Sequence, residues 1–476
     1  MRHERSHTKI IATMGPATSN REILEQMIHE GVDVCRINFS HNTHEEHLKT
    51  IKTIHNLNEE LGSSVAILAD LQGPKLRVGE MENGQVELDD GQEYSFVTTP
   101  CRGDHEKAYI SYKRLPQDVS AGEMILVDDG KLMFEVIESN GKDCVRTRVI
   151  AGGSVSNRKG VNLPNTNVTL PSLTEKDIKD AQFALDNQVD WIALSFVRKE
   201  KDILDLRKLV DAHPTGAHII AKIEKPEALE EIEKIIDAAD GIMVARGDLG
   251  VEVDFHKVPL IQKSIIKQCI EKSKPVIVAT QMMESMINNP TPTRAEANDV
   301  ANAVLDGADT VMLSGETSVG KYPVQTIRNM QKIIDSTETD EFLYYREHPP
   351  LQHNETYLPD SICYNAVRLA QQVNATAIIT LTNSGYSAIK ISSHRPMAPI
   401  FAFTMDQDLI RQLSLVWGVR TYFLAECNDV NDYLHYSEEF LVRQNLVKRG
   451  DLVVYVSSIP ILEKGKTNVM KLTRVT

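Results

Sequence analysis

Outside residues 73–160, the first 340 residues of the chain alternate between short apolar runs and amphipathic segments. The apolar runs are rich in valine, isoleucine and alanine and are nearly continuous, which is typical of strands buried on both faces of a parallel sheet. The segments between them, such as EALEEIEKIIDAAD, repeat their apolar residues at helical spacing. Eight strands alternating with helices predict a closed (β/α)8 TIM barrel of the α/β class. The predicted strands are TKIIATMG (8–15), VDVCRINFSH (32–41), SVAILADLQ (64–72), WIALSFV (191–197), HIIAKIE (218–224), GIMVARGD (241–248), PVIVATQM (275–282) and TVMLSGET (310–317).

Between residues 73 and 160 the helical period disappears and hairpin signals replace it. Asparagine or aspartate followed by glycine suits the type I′ turns that join antiparallel strands. The segment therefore predicts a small all-β domain inserted after the third barrel strand. An insertion there emerges at the carboxyl face of the barrel, where active sites of this fold lie, so it is placed to act as a lid. The four turn signals are Asn83-Gly84, Asp90-Gly91, Asp129-Gly130 and Asn140-Gly141.

After residue 340 a second alternation of helices and apolar runs begins, and it predicts an open, doubly wound α/β sheet as a C-terminal domain. Its predicted strands are ATAIITLT (375–382), PIFAFT (399–404), VRTYFL (419–424) and DLVVYVSS (451–458). The predicted domain boundaries are 1–72 and 161–340 for the two parts of the barrel, 73–160 for the inserted β lid and 341–476 for the C-terminal domain.

The bulk composition excludes several classes of protein. Hydrophobic residues make up 41% and charged residues 25% of the chain, which is typical of a globular protein with a sizeable core. No run approaches the roughly 18 apolar residues of a membrane helix, and the N-terminus lacks the apolar region of a secretory signal. The net charge of −15 disfavours binding to nucleic acid or an anionic membrane. Six scattered cysteines without a CxxC pair favour a reducing, cytoplasmic location over a disulfide framework or zinc site.

Polar residues at the ends of two neighbouring strands form the first candidate site. Residues two apart in a strand project to the same side, so Lys222 and Glu224 share one face. Asp248 ends the next predicted strand. Two carboxylates can hold a hard divalent cation, and an adjacent ammonium suits an anionic transition state. A structural cluster of ion pairs at the barrel end explains the same three residues equally well.

Further polar residues converge on the same rim. Arg36, Asn38 and Ser40 are again spaced by two, and Arg36 offers a guanidinium fork suited to phosphate. Asp70 ends the third predicted strand, and Asn38, Ser40 and Asp70 together resemble a cage for a monovalent cation. Thr280 ends the seventh strand, where it is either a catalytic hydroxyl or a cap. Convergence from five strands favours an active site over isolated structural pairs.

Segments of distinctive sequence follow one another in order from residue 8 to residue 317. They are TKIIATMGPAT, CRINFSH, GPKLRVG, KGVNLP, KIEKPEAL, IMVARGDLGVE, PVIVATQMMESM and PTRAEANDVANAVLDGADTVMLSGET. This series resembles the signature stretches of the pyruvate kinase family. The resemblance implies transfer of the phosphoryl group of phosphoenolpyruvate to ADP, giving pyruvate and ATP in glycolysis. It also implies a homotetramer.

The resemblance assigns roles to the rim residues. Arg36 is similar to the residue that grips the phosphate of phosphoenolpyruvate, and Lys222 to the lysine that stabilises the transferring phosphoryl group. Glu224 and Asp248 match the ligands of Mg²⁺ or Mn²⁺. The backbone of Gly247 and Asp248, together with Thr280, matches the pocket for the substrate carboxylate and enolate.

Two further sets of residues follow from the same resemblance. The nucleotide phosphates are expected at Asn38, Arg77 and Lys159, the last two lying at the edges of the lid. The potassium cage corresponds to Asn38, Ser40, Asp70 and the carbonyl of Leu71. Lys75 stands where many members of the family carry glutamate. Because an ammonium there supplies the positive charge from within the chain, we expect activity that is largely independent of K⁺; a Lys75 that points to solvent is the alternative.

The C-terminal domain carries a second candidate site between its first strand and the following helix. Hydroxyls and free amides at such a junction bind phosphate readily, although ordinary helix capping uses the same residues. The run resembles the family's effector pocket, while the later loop has Ser458 and Leu462 where glycine is usual. A sugar monophosphate, AMP or no effector are the open possibilities. The pocket residues are Thr382, Asn383, Ser384, Gly385 and Ser387.

Two other functions remain as alternatives. A Mg²⁺-dependent lyase or aldolase would also stabilise a pyruvate enolate on such a barrel, but it would not explain Arg77, Lys159 and the lid. A catalytically silent metabolite sensor would use the C-terminal pocket alone and would be expected to have lost catalytic residues.

Overall fold

The structure is a computed structural model that describes residues 6–164, 166, 168–352, 354–424, 430–460 and 467–476. Its strands are β1 (Lys9–Thr13), β2 (Val34–Asn38), β3 (Ala66–Asp70), β4 (Leu76–Arg77), β5 (Gln85–Leu88), β6 (Glu93–Val97), β7 (Lys107–Tyr109), β8 (Met124–Val127), β9 (Leu132–Ser139), β10 (Cys144–Ala151), β11 (Gly153–Ser156), β12 (Gly160–Asn162), β13 (Trp191–Leu194), β14 (His218–Ile223), β15 (Gly241–Ala245), β16 (Val276–Ala279), β17 (Thr310–Leu313), β18 (Ala377–Leu381), β19 (Ile400–Thr404), β20 (Val419–Phe423), β21 (Leu452–Ser457) and β22 (Val469–Arg474).

The helices are α1 (Arg21–Glu30), α2 (His44–Leu61), α3 (Leu115–Asp118), α4 (Glu175–Asp186), α5 (Glu200–Asp211), α6 (Pro226–Glu230), α7 (Ile232–Ala238), α8 (Arg246–Glu252), α9 (Val258–Glu271), α10 (Arg294–Asp306), α11 (Gly315–Ser318), α12 (Pro323–Thr337), α13 (Tyr357–Gln372), α14 (Tyr386–Ser393), α15 (Gln407–Gln412) and α16 (Val430–Arg443). Local sequence sets several of their starts. Thr43 caps α2 and Thr293 caps α10, each in a reciprocal capping box with a glutamate three residues later.

The predicted TIM barrel is confirmed. Strands β1, β2, β3 and β13 to β17 close into a barrel in which every neighbouring pair is parallel. All residues of β1, β3, β13, β15, β16 and β17 are buried, which explains why their sequences are largely apolar. The strands are shorter than the apolar runs, so several polar residues expected on strands lie just beyond their ends.

The inserted domain consists of the predicted β-strands and one short helix that was not predicted, α3. The strands form a seven-stranded sheet in the order β4-β12-β8-β9-β10-β6-β7 and a two-stranded sheet of β5 and β11. Only two of the four expected turns join paired strands. Asp129-Gly130 connects β8 to β9 and Asn140-Gly141 connects β9 to β10. Asn83-Gly84 instead ends a 3₁₀ turn before β5, and Asp90-Gly91 links β5 to β6 in different sheets. The dipeptide determines the local bend of the chain, but it does not determine which strand the following strand pairs with.

The C-terminal domain is the predicted doubly wound sheet, with strand order β20-β19-β18-β21-β22. Apolar side chains of α13, α14 and α15 cover one face and those of α16 cover the other. The strand β22 was not predicted from the sequence, and it adds an antiparallel edge beside β21. None of its residues is fully buried, so it lacks the apolar run that marked the other strands.

Arg395 ties the C-terminal domain to the barrel. Its side chain is 1% exposed and contacts both carboxylate oxygens of Asp309, at 3.2 and 3.1 Å. It also donates to the carbonyl of Gly307 at 2.6 Å and lies 4.9 Å from the centre of the Trp417 ring. Since breaking a buried ion pair costs about 3–5 kcal/mol, this contact holds the two domains in one arrangement.

The Glu338 carboxylate, just after α12, clamps the N-terminal segment. Its two oxygens accept hydrogen bonds from the backbone N–H groups of His7 and Thr8, each at 2.7 Å. Burial raises the pKa of Glu338 to about 7 from an ordinary 4.5, although the two hydrogen bonds favour the charged form. Folding therefore holds a proton on this carboxyl at pH values where the unfolded chain has released it.

A pH dependence of stability follows from Glu338. Between pH 4.5 and about pH 7 the folded state binds the extra proton, so the free energy of unfolding is expected to fall as pH rises, on the order of 3 kcal/mol from this group. Urea unfolding across this range should show a flatter slope for Glu338→Gln. The exposed Glu341→Gln variant is the control and should keep the wild-type slope; a Glu338→Gln curve parallel to it would contradict the assignment.

Among the helices of the described ranges, none has both the length and the apolar character required to cross a membrane.

Candidate active site

Asp70 stands at the centre of a buried network at the carboxyl end of the barrel. It is the last residue of β3, is 1% exposed, and lies between two cations. Arg36 contacts its Oδ2 through Nε and Nη2, each at 2.6 Å, and Lys222 Nζ lies 3.1 Å from its Oδ1. Burial alone would raise the pKa of Asp70, but the charges of Lys222 and Arg36 outweigh it and lower the pKa. Asp70 therefore remains a carboxylate.

Lys222 is held in place by three neighbours. Its ammonium lies 2.9 Å from Glu224 Oε1 and 3.1 Å from Asp70, and it donates to Ser195 Oγ at 2.7 Å. Burial opposes its charge, but Asp70 and Glu224 outweigh the burial and raise the pKa of Lys222. The network thus alternates in sign from Arg36 through Asp70 and Lys222 to Glu224, and the ammonium stays charged away from bulk water.

Glu224 and Asp248 form a pair of neighbouring negative charges. Glu224 follows directly after β14, is 1% exposed, and accepts from the Phe196 backbone N–H at 2.8 Å. Burial raises the pKa of Glu224; Lys222 opposes the rise and the charge of Asp248 adds to it. Asp248 was expected at the end of a strand, but β15 stops at Ala245 and Asp248 lies in the first turn of α8. The two carboxylates still act on one another across the rim.

This charge arrangement fits a divalent cation. A cation between two carboxylates removes the repulsion that raises the pKa of Glu224. In the part of the chain that the structure describes, no three His, Cys, Asp or Glu side chains gather as a complete metal site. Mg²⁺ suits such a pair because it often binds through one or two carboxylates and completes its shell with water and phosphate oxygens.

Thr280 has an unusual backbone conformation at the rim. Its φ is +70°, which is uncommon for a β-branched residue, and it follows directly after β16. Its Oγ1 accepts from the Gly247 N–H at 2.7 Å and donates to the Ala279 carbonyl at 2.6 Å. Arg246, which pairs with Asp299, donates to the Thr280 carbonyl. The threonine hydroxyl is therefore fixed beside the first turn of α8, next to Asp248.

The oxygens expected to form a potassium cage already have partners in the protein. Asn38 Oδ1 accepts from the Ser40 N–H at 3.0 Å, and the Leu71 carbonyl accepts from Ser195 Oγ at 2.7 Å. Both oxygens of Asp70 face Arg36 and Lys222. Ser40 was expected on a strand but lies in a turn after β2. A monovalent cation at this position would have to compete with these donors for the same oxygens.

The lid brings further positive charge toward the rim. Burial lowers the pKa of His41, and the charges of Arg77, Lys75 and Arg36 lower it further, so all three cations act on this ring. Lys75 lies beside Gly160, with its Cε 3.5 Å from where a Cβ would stand. Lys159, in contrast, is held within the lid by Asp128 at 2.8 Å.

Ser195 and His41 were not singled out from the sequence. Ser195 follows β13 and bridges Lys222 to the Leu71 carbonyl. Its one available signal was its position directly after a buried strand, shared with Glu224 and Thr280. His41 carries a similar signal, since it follows Arg36, Asn38 and Ser40 in the same segment.

The candidate effector residues surround the start of α14. Gly385 has a φ of +78° and lies immediately before the helix. Ser387 and Thr380 share a hydrogen bond of 2.8 Å between their hydroxyls, and the Thr382 N–H donates to the Phe403 carbonyl. Ser384 is exposed. Leu462, in the second loop of this pocket, lies outside the described residues.

Comparison with known proteins supports one family throughout the chain. The sequence pattern described as pyruvate kinase, barrel domain, matches residues 5–327, and that of the pyruvate kinase alpha/beta domain matches residues 360–473. The pyruvate kinase of Geobacillus stearothermophilus is 44% identical over 469 residues, which cover 98% of this chain and 79% of that protein. The enzyme of Mycobacterium intracellulare is 42% identical over 467 residues and 98% of both chains.

A solved structure gives the same result. The pyruvate kinase of Cryptosporidium parvum superposes with a TM-score of 0.92 at 36% identity, covering 99% of this chain and 97% of that one. The resemblance seen in the sequence is thereby confirmed, and neither the lyase or aldolase nor the silent sensor is supported. The chain belongs to the pyruvate kinase family and is a phosphotransferase.

Proposed function

We propose that the network of Arg36, Asp70, Lys222 and Glu224 is the centre at which this chain transfers the phosphoryl group of phosphoenolpyruvate to ADP, giving pyruvate and ATP. The observation that carries the proposal is the alternation of charge along these buried side chains. A purely structural ion-pair cluster would satisfy its charges among themselves. Here Glu224 lies near the like charge of Asp248, and the single carboxylate of Asp70 interacts with two cations, Arg36 and Lys222.

The two cations have separate roles in this proposal. Lys222 neutralises charge on the phosphoryl group as it passes between oxygens, and Arg36 holds the phosphate in line for attack by ADP. Both are already fixed, since Asp70 holds both and Ser195 holds Lys222. Preorganised charge of this kind requires little rearrangement during the reaction, which is why it lowers the barrier.

Glu224 and Asp248 would hold Mg²⁺ or Mn²⁺. A divalent cation at this position supplies charge neutralisation at the substrate oxygens. Thr280 and the first turn of α8, at Gly247 and Asp248, line the proposed pocket for the carboxylate and enolate of the substrate. In this proposal the Thr280 hydroxyl would orient the group that protonates the enolate carbon.

The nucleotide phosphates are proposed to bind between the lid and the rim, at Arg77, Lys159 and Asn38. The side chain of Lys159 is 36% exposed, so it can exchange Asp128 for a phosphate when the lid closes on ADP. Closure would also exclude water, which competes with ADP for the phosphoryl group.

Glu224→Gln tests the metal assignment. The variant keeps an acceptor for the Phe196 N–H but loses the charge, so the apparent affinity for Mg²⁺ is expected to fall by at least the roughly 10–100-fold that loss of an outer-shell partner costs. Mg²⁺ titration of activity and Mn²⁺ binding followed by electron paramagnetic resonance both measure it. The exposed Glu230→Gln variant is the control. Wild-type Mn²⁺ affinity in Glu224→Gln would remove Glu224 from the metal site.

Regulation and assembly complete the proposal. A sugar monophosphate or AMP would bind through Thr382, Asn383, Ser384, Gly385 and Ser387. Assays of phosphoenolpyruvate saturation with each compound test this. If none of them shifts the saturation curve, the pocket is not a site for these effectors.

A homotetramer would cover exposed apolar residues such as Phe255 and Leu260, which are 80% and 72% exposed; light scattering gives the subunit count.

A further inference from the structure

A cavity of about 720 Å³ lies between the base of the barrel and the C-terminal domain. Trp191 and His218 line it from the barrel; they are the first residues of β13 and β14. It is therefore at the opposite end of the barrel from the rim that carries Lys222. Its volume is in the range of sites that bind small molecules.

Lys274, on the barrel side of this cavity, is a cation without a carboxylate partner. Its ammonium donates to the carbonyls of Ala239 at 2.5 Å and Asp237 at 3.4 Å. Among the residues that the structure describes, no carboxylate oxygen lies within 4.0 Å of it. Burial lowers the pKa of Lys274, although the nearby charges of Asp240 and Asp237 oppose the shift. One of its three N–H donors remains for a ligand.

Lys390 approaches the cavity from α14. It lies 3.2 Å from Asp360, and its side chain is 14% exposed. Asp360 also accepts hydrogen bonds from the hydroxyls of Tyr386 and Thr356, so a single buried carboxylate serves three donors. Asp360 is the one partner of Lys390 within the described ranges. The ammonium therefore has donors left over on the cavity side.

The rest of the wall between these lysines is largely apolar. Trp191 supplies an aromatic surface, and the C-terminal domain contributes the aliphatic side chains of Ile389, Leu409, Leu413 and Val416. Three further carboxylates line the cavity, and each lies near a cation. Asp237 pairs with Lys272 at 2.6 Å, Asp240 pairs with Arg207 at 2.6 Å, and Glu271 lies 3.9 Å from Lys267. His218 bonds to Gln412 at 2.9 Å.

We propose that this cavity is a binding site for a small anion with an aromatic or apolar body. The anionic group would take the unused donors of Lys274 and Lys390, and the body would lie against Trp191 and the aliphatic wall. Such a ligand would contact both α14, which begins beside Ser384 and Gly385, and the first residue of β14, which carries Lys222 at its other end. The proposal concerns binding alone, so it stands or falls separately from the proposed catalytic roles.

The anionic aromatic dye 8-anilinonaphthalene-1-sulfonate is a direct probe of this site. The full-length protein is titrated with the dye while saturating Mg²⁺ and ADP occupy the nucleotide site, and the gain in fluorescence is recorded. We expect saturable binding of one dye per chain. Lys274→Met should weaken it about tenfold, and Ile389→Trp, which fills part of the cavity, should weaken it by at least as much.

Lys234→Met is the matched control, because the Lys234 side chain is 64% exposed and neither it nor its partner Glu231 lines the cavity. Its dye affinity should stay within about twofold of wild type. Equal affinity in all four proteins, or the absence of saturable binding to the wild type, would overturn the proposal. Circular dichroism of each variant separates loss of the site from loss of the fold.

Discussion

Replacing Lys222 with methionine is expected to lower kcat by roughly a thousand-fold, while the variant remains folded. Removal of one preorganised donor from a developing charge costs about 10²–10³ in kcat in other enzymes. Lys222 carries a full charge on a side chain that is 11% exposed, which places the expected loss at the upper end. The KM for phosphoenolpyruvate should change much less, because Arg36 still holds the phosphate and Lys222 acts mainly as the phosphoryl group moves.

Stability is the complication in this experiment. Lys222→Met leaves the carboxylates of Asp70 and Glu224 without their shared cation, and losing one partner of a buried pair costs about 3–5 kcal/mol. A coupled assay for pyruvate should therefore be run with a urea unfolding curve. Lys201→Met, at an exposed position of α5, is the control. A folded Lys222→Met enzyme with kcat within tenfold of wild type would show that the lysine only holds the rim together.

The barrel was predictable because burial on both faces leaves a direct trace in the sequence. Every residue of β13 and β15 is buried, so each of these strands is an unbroken apolar run. The same reasoning fails for strands that are not buried. β22 has no fully buried residue, and it was missed. The turn signals correctly predicted bends in the chain but did not predict which strands pair. For example, β5 pairs with β11, which lies far along the chain.

The sequence predicted which polar side chains lie near one another at the rim better than it predicted their geometry. The spacing of two placed Lys222 and Glu224 together, and they are 2.9 Å apart. Asp248 is three residues beyond the end of its strand, in a short helix whose first turn is fixed by the bond from Gly247 to Thr280. That bond joins residues 33 positions apart, so no local pattern encodes it.

Some properties of the site arise only from contacts between side chains, so they cannot be predicted from any single residue. A serine after a strand is usually a turn residue, and only its contact with Lys222 sets Ser195 apart. The same limit of sequence-based prediction applies to the oxygens expected to form the potassium cage. The sequence shows Asp70 as a carboxylate at the end of a strand, but it does not show that Arg36 and Lys222 both contact it.

If the Lys75 ammonium replaces K⁺, as we propose, Lys75→Glu is expected to make activity depend on K⁺. Lys75 lies at the start of the lid, directly before β4, and its charge acts on His41 together with those of Arg77 and Arg36. Two unit charges about 6 Å apart at an effective dielectric of about 20 interact by about 3 kcal/mol. Reversing the charge beside the phosphate site should therefore lower activity without K⁺ by at least about a hundred-fold, since each 1.4 kcal/mol is about tenfold.

The measurement is the rate of pyruvate formation against K⁺ at fixed ionic strength, with tetramethylammonium as the replacement ion. The wild type should change by less than about twofold. Lys75→Glu should be nearly inactive without K⁺ and recover as it is added, because an added cation restores the lost positive charge and the carboxylate supplies a new ligand for it. Lys75→Met should lose activity without regaining it, since it has no such ligand, and Lys142→Glu, at an exposed turn of the lid, should resemble the wild type. Strong activation of the wild type by K⁺ would show that the Lys75 ammonium does not replace the ion.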